Sequence, residues 1–174
     1  GPGWFRVTAT RFWGGLAVTF ADISEHMETE TRALVLAHTD PLTGLANRRG
    51  FEAEAERRLG EAEKAGRAVA MCYLDLDGFK AVNDGYGHET GDELLRHVAG
   101  RLRSVVRAAD LIGRIGGDEF VVLAEGLNAG DAEAYFQRVR AAVDAPYSVG
   151  GARLDLTSSL GVVTRARTLA GSLA

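Results

Sequence analysis

Apolar and polar positions change period several times along the chain. From Trp4 to Phe20 the string WFRVTATRFWGGLAVTF is rich in β-branched and aromatic residues on both sides of Gly14-Gly15, which predicts two short strands around a turn. A lone hairpin is marginally stable, so residues 1–20 are expected to end an upstream domain or to dock elsewhere. Residues 21–38 are polar, with Phe20, Ile23, Met27, Leu34 and Ala37 near heptad spacing and Glu30 interrupting them. A short coiled-coil connector and a single amphipathic linker helix fit that pattern equally well.

Pro41 breaks this helix, and another is predicted from near Asn47 to about Ala65. Ala68 to Leu74 (AVAMCYL) reads as a continuous apolar strand closing at Asp75, and Asp77 to Gly87 as a polar loop. Leu94, Leu95, Val98, Ala99, Leu102, Val105 and Val106 recur at helical spacing. Strands are expected at about Leu111–Ile115 and Glu119–Ala124, joined by Gly116-Gly117. A helix from Asp131 to about Val143 follows, then two strands around Gly150-Gly151. This β-α-β-β-α-β order predicts an α/β (α+β) fold of ferredoxin-like type, with a central, mainly antiparallel sheet flanked by helices.

In that topology the right-handed crossover leaves room for the third strand between the first two. The end of strand one then meets the start of strand three, bringing Asp75 next to Asp118 and Glu119. Strand alternation points Asp118 and Glu119 to opposite faces, so one of them should face Asp75 more directly. Converging carboxylates repel unless protonated or bridged by a cation. With oxygen ligands and no histidine cluster, Mg²⁺ or Mn²⁺ is the expected ion, with a nucleoside triphosphate as substrate. Two such ions about 3.5–4 Å apart activate a hydroxyl and stabilise departing pyrophosphate. The alternative is that Gly116-Gly117 form a type I′ turn and the acids merely solvate its tip.

Composition narrows the setting. A chain of 174 residues, 46% apolar and with net charge −4, suits one soluble domain plus an appendage and offers no general attraction to nucleic acid or anionic membrane. The single cysteine, Cys72, excludes an internal disulfide. No stretch approaches the roughly 20 apolar residues of a membrane span, and no signal sequence opens the chain, so a cytoplasmic location is expected.

Five strings carry a family resemblance: DPLTGLANRR (Asp40–Arg49), DLDGFKAVNDGYGHETGDELL (Asp75–Leu95), RAAD (Arg107–Asp110), GGDEF (Gly116–Phe120) and SLGV (Ser159–Val162). In this order and spacing they closely resemble the GGDEF domain of diguanylate cyclases, which condense two GTP into cyclic di-GMP and pyrophosphate. The resemblance implies that Asp75 and the Leu76 carbonyl hold Mg²⁺. It also implies that Asp118 binds metal and helps activate the 3′-hydroxyl, with Glu119 supporting the same site. Asn83 and Asp92 correspond to guanine-reading residues, whose amide and carboxylate suit the O6, N1–H and N2–H₂ edge of that base. Lys80 is placed to contact phosphate, and Gly116 and Gly117 admit the nucleotide. Arg107 and Asp110 match an inhibitory site that takes cyclic di-GMP, arginine gripping phosphate or base through its fork.

A homodimer is implied, each 3′-hydroxyl attacking the α-phosphate held by the other protomer. The alternative is a catalytically inactive module that binds cyclic di-GMP or GTP. Several assignments compete with simpler ones: Lys80 as solvated surface, Asn83-Asp84-Gly85 as a turn, and His88 as a structural hydrogen-bonding residue. Thr90 with Glu93 could form a capping box near Asp92, Asp77 could lie outside the metal shell, and Arg107 with Asp110 could be a surface pair. GGLAVTFADISEHMETE resembles the last strand and exit of PAS sensory domains. Family members continue past SLGV with an AD…ALY…AK…GR pattern, whereas TRARTLAGSLA follows here. The expected organisation is therefore a hairpin (1–20), a helical linker (21–38) and a GGDEF domain (39–174) that looks shortened at its C-terminus.

Overall fold

The computed structural model describes residues 3–165 and divides into two units, Gly1–Ala37 and His38–Ala174. In the first unit β1 (Phe5–Phe12) and β2 (Gly15–Asp22) pair antiparallel, and α1 (Ser24–His38) follows. The turn is Trp13–Gly14, one residue earlier than Gly14-Gly15, and Gly14 supplies its positive φ of 84°. The register places Val7 opposite Phe20 and Ala9 opposite Val18. One face therefore carries Phe5, Val7, Ala9, Leu16, Val18 and Phe20, all exposed, and the other carries Arg6, Thr8, Thr10 and Thr19. Residues 21 and 22, placed in the linker by the sequence, end β2 instead, the helix covers Ser24–His38, and the side chain of Leu34 lies outside the described residues.

The second unit runs α2 (Arg48–Lys64), β3 (Val69–Asp77), α3 (Phe79–Tyr86), α4 (His88–Val105), β4 (Leu111–Arg114), β5 (Glu119–Glu125), α5 (Ala129–Val143), β6 (Tyr147–Val149), β7 (Ala152–Leu154) and β8 (Thr157–Arg165). Its main sheet has the order β4-β5-β3-β8 with every pair antiparallel, the ferredoxin-like arrangement the element order predicts. Alternation sorts the central strands between two cores. Ala70, Cys72, Leu74 and Leu76 of β3 join Phe120, Val122 and Ala124 of β5 in a core with α3, α4 and α5. Val69, Val121 and Leu123 pack on the other face with Phe51, Ala55 and Ala62 of α2.

Three local expectations change. Residues 79–86 are the helix α3 rather than loop: Phe79 and Val82, three apart, are buried, while Gly78 (φ 80°) and Gly87 (φ 85°) bound the segment. Lys80 and Asp84 are exposed and Asn83 is half-buried, so polar composition alone reads the segment as loop. Three strands, not two, follow α5, because β6 and β7 form a separate small hairpin before β8. Third, both glycines of that hairpin turn have positive φ (Gly150 57°, Gly151 81°), the type I′ requirement that Gly116-Gly117 do not show.

α2 starts where its cap dictates: the Asn47 side chain accepts the Gly50 N–H at 2.9 Å. A Cβ on Gly50 would lie 2.1 Å from the His38 carbonyl oxygen, so only glycine lets the first turn of α2 seat there.

Candidate active site

Asp75 lies directly opposite Glu119 in the β3–β5 register, and the Leu76 N–H donates to the Asp118 carbonyl at 3.3 Å. Directly opposed residues share a face, so Glu119 lies on the Asp75 face of the sheet. Asp77, two residues on, accepts hydrogen bonds from Thr157 and Ser159 of β8, both at 2.8 Å. Burial first, then the carboxylates of Asp118, Glu119 and Asp77, push Asp75 above the usual aspartate range.

A hard cation relieves this crowding of carboxylates at the strand ends. Among the described residues no three acidic, histidine or cysteine side chains gather closely enough to hold a metal unaided. Mg²⁺ usually takes one or two carboxylates and completes its shell with water and phosphate, so the donor set fits it.

The connection between β4 and β5 spans residues 115–118 and closes with Ile115 N–H donating to the Glu119 carbonyl at 3.0 Å. Four residues make this turn without left-handed φ, which removes the type I′ reason for Gly116-Gly117. Gly116 has a different one: a Cβ there would lie 1.9 Å from Glu119 Oε2, so the carboxylate folds back into the space a side chain would fill. Arg48 stands 3.8 Å from the same carboxylate and donates through Nε to the Ile115 carbonyl at 3.1 Å.

Arg114 clamps the turn from below. Its Nε and Nη2 donate to the Gly117 carbonyl at 3.1 and 2.8 Å, and its Nη1 bridges both oxygens of Asp40 at 3.1 and 3.2 Å. Burial raises Asp40, but hydrogen bonds from Thr43 and the Arg114 guanidinium outweigh it and hold the carboxyl below its ordinary value. Sequence reasoning missed this pair, which joins residues 74 positions apart; an aspartate at the start of one motif and an arginine two residues before GGDEF were its only trace.

Asn83 and Lys80 lie on α3 and Asp92 on α4. The two helices touch where Asn83 Oδ1 abuts Gly91, a Cβ there falling 2.0 Å away, which brings Asn83 beside the residue preceding Asp92. Asn83 is half-buried; Lys80 and Asp92 are exposed. The turn reading of Asn83-Asp84-Gly85 gives way to helix, and the capping box does not form. α4 begins at His88 after Gly87, so Thr90 is already helical and donates to the Tyr86 carbonyl at 3.0 Å.

At the exit of α4, Asp110 turns back to accept the Arg107 backbone N–H at 2.9 Å, and it also takes the Tyr135 hydroxyl. No ion pair joins the Arg107 and Asp110 side chains among the described residues. Instead the guanidinium carbons of Arg107 and Arg138 lie 5.2 and 5.1 Å from the Tyr135 ring centre. The simple surface-pair reading is thus replaced by a four-residue cluster, of which Tyr135 and Arg138 were not foreseen. Burial, then the hydrogen bond to Asp110, pushes the Tyr135 phenol up to about 12.

An antiparallel palm with acids at the abutting ends of its central strands defines the class: a mixed α/β domain with a carboxylate edge between two helical layers. The chain belongs to the GGDEF family, whose description "Diguanylate cyclase, GGDEF domain" matches residues 37–170. The diguanylate cyclase DgcP of Pseudomonas aeruginosa is 38% identical over 138 residues, covering 79% of this chain and 20% of that protein. The cyclic di-GMP phosphodiesterase NbdA of the same organism is 40% identical over 127 residues, covering 73% and 16%. Among solved structures, the coiled coil and GGDEF domain of DgcB from Caulobacter crescentus, in complex with c-di-GMP, has a TM-score of 0.75 at 30% identity and covers 83% of this chain and 78% of that one. The chain spans about a fifth of the length of the curated relatives it matches.

Proposed function

We propose that this domain is a diguanylate cyclase, condensing two GTP into cyclic di-GMP and pyrophosphate. The observation that carries the reading is the opposition of Asp75 and Glu119 with Asp118 beside them, at the edge of a GGDEF fold. Asp75, the Leu76 carbonyl and Asp118 would hold Mg²⁺ or, as a substitute, Mn²⁺, with Glu119 supporting the same site, and the bound ion would supply Lewis-acid stabilisation of phosphate charge.

Asn83 and Asp92 read guanine, and a base lacking its N1–H and N2–H₂ donors leaves Asp92 unpaired. Lys80 contacts phosphate, while Gly116 and Gly117 leave the turn open to the nucleotide. Asp118 accepts the proton of the attacking 3′-hydroxyl. Each protomer holds one GTP, so a homodimer is required for both phosphodiester bonds.

Arg107 and Asp110, with Tyr135 and Arg138, bind the product away from the acids and restrain the enzyme. Two guanidinium groups on one aromatic ring suit a ligand with phosphates and flat bases. The hairpin at 1–20 is the edge of an upstream PAS-type sensor, residues 21–38 link it to the catalytic domain at 39–174, and the domain works in the cytoplasm.

A second reading, a module that binds cyclic di-GMP or GTP without synthesis, is favoured by one observation: a relative of similar identity is named only as a phosphodiesterase. One experiment separates them. The chain fused to a dimerising coiled coil is incubated with GTP and Mg²⁺, products are weighed by mass spectrometry, and Asp118→Ala serves as control. Cyclic di-GMP from the parent alone is expected; none, with GTP bound and the dimer formed, refutes the cyclase reading.

A further inference from the structure

We propose that Tyr135 sets the base specificity of the product site, as a positioning residue that fixes the Asp110 carboxylate so that one of its oxygens is kept for the ligand. The inference rests on the reading that cyclic di-GMP binds at Arg107 and Asp110. Two donors converge on a single Asp110 oxygen, Oδ2: the Arg107 backbone N–H at 2.9 Å and the Tyr135 hydroxyl. The same hydroxyl oxygen accepts from that N–H at 3.2 Å, which closes a triangle of contacts. Oδ1 has no partner among the described residues and is left to accept from a ligand.

What holds the hydroxyl is the core. Tyr135 is 3% exposed, and its ring meets the fully buried Phe136 edge-on, with centroids 5.2 Å apart and planes at 68°. Burial, then the hydrogen bond to Asp110, keeps the phenol protonated at neutral pH and so a donor. The carboxylate cannot turn away without giving up a bond to a group that packing keeps in place. The Arg107 guanidinium carbon rests 5.2 Å from the centre of the same ring and makes no ion pair with Asp110, so its donors also stay open.

A carboxylate oxygen of fixed direction tells bases apart. Guanine offers it two adjacent donors, N1–H and N2–H₂, whereas at the corresponding positions adenine presents a bare N1 and a C2–H, which leave the acceptor unpaired. A carboxylate free to rotate would swing aside for adenine at little cost; one tied at Oδ2 does not. Tyr135 touches no ligand in this scheme and acts through Asp110, as supporting groups behind a binding residue do.

The test is calorimetry of the whole chain with cyclic di-GMP and with its adenine counterpart, cyclic di-AMP. The parent is expected to prefer cyclic di-GMP. Tyr135→Phe keeps the ring in the core and removes only the hydroxyl. It should weaken cyclic di-GMP binding about tenfold, the order of one hydrogen bond to a charged group, and leave cyclic di-AMP binding unchanged. In an Asp110→Ala background it should have no further effect. A parent that binds both dinucleotides equally overturns the proposal without any variant. So does a Tyr135→Phe chain that binds cyclic di-GMP like the parent or weakens toward both ligands alike, and so do losses that add to that of Asp110→Ala. Arg107→Ala separates the two readings: if it leaves cyclic di-GMP affinity unaltered, the product site itself is misplaced and the role of Tyr135 falls with it.

Discussion

Replacing Arg114 by methionine removes four hydrogen bonds at once, two to Asp40 and two to the Gly117 carbonyl. The side chains of Arg114 and Asp40 are only 13% and 16% exposed, so water replaces little of what is lost. Breaking a fully buried pair costs about 3–5 kcal/mol, because one charge is left uncompensated. Here Thr43 still donates to Asp40 through its N–H at 2.9 Å and its hydroxyl at 2.5 Å, which brings the expected loss to about 2–3 kcal/mol.

For a chain of this size the loss corresponds to a fall in Tm of roughly 5–10 °C. Urea melts of the parent, Arg114→Met, Asp40→Asn and the double variant give the coupling energy. They are followed by circular dichroism, since both tryptophans, Trp4 and Trp13, lie in the first unit. Acid supplies a second check. Asp40 is depressed in the fold, so its contribution is present above the ordinary carboxylate pKa of 3.8 and is lost as pH falls below it through the folded value. The gap between parent and Arg114→Met should therefore shrink in acid. A coupling below about 0.5 kcal/mol at neutral pH, or a gap that widens in acid, refutes the reasoning.

Gly50→Ala drives a methyl to 2.1 Å from a backbone oxygen that cannot swing aside, and a loss of about 3 kcal/mol or more is expected in the same melts. Gly91→Ala meets the movable end of Asn83 at 2.0 Å and the buried Phe79 ring at 3.3 Å; a stability loss of about 1 kcal/mol is expected, while GTP affinity, measured by calorimetry, falls about tenfold as Asn83 turns away. Cys72, whose thiol burial pushes up to about 12, should resist iodoacetamide at pH 8 in the folded chain and take one equivalent once denatured, as mass spectrometry would show.

The meeting of Asp75 with the GGDEF acids was legible in the sequence because it follows from element order alone: a split βαβ has one way to seat its third strand. The helix α3 was not, since its buried face is two residues, Phe79 and Val82, and the run Asn83-Asp84-Gly85 within it has the composition of a turn. Gly116 illustrates a different limit. Its glycine character was visible, but the reason for it is the carboxylate of Glu119, three residues away, folding back on a turn whose type the sequence does not specify. Arg48, Arg114 and Tyr135 escaped because their partners lie 67, 74 and 25 residues away, and Arg138 because it joins the cluster only through Tyr135.

The central position of β3 also dictates an order of assembly. Its partner β5 emerges only after two further helices, and the hydroxyls that hold Asp77 belong to Thr157 and Ser159, 80 and 82 residues later. During synthesis at about 5–20 residues per second, β3 must wait several seconds with an open edge. A nascent chain stalled after β5 would expose the backbone groups that β8 later covers, an invitation to pair with a neighbouring chain. The carboxylates at the end of β3, Asp75 and Asp77, guard that edge during the interval, so an acid proposed to hold the metal ion also discourages premature association.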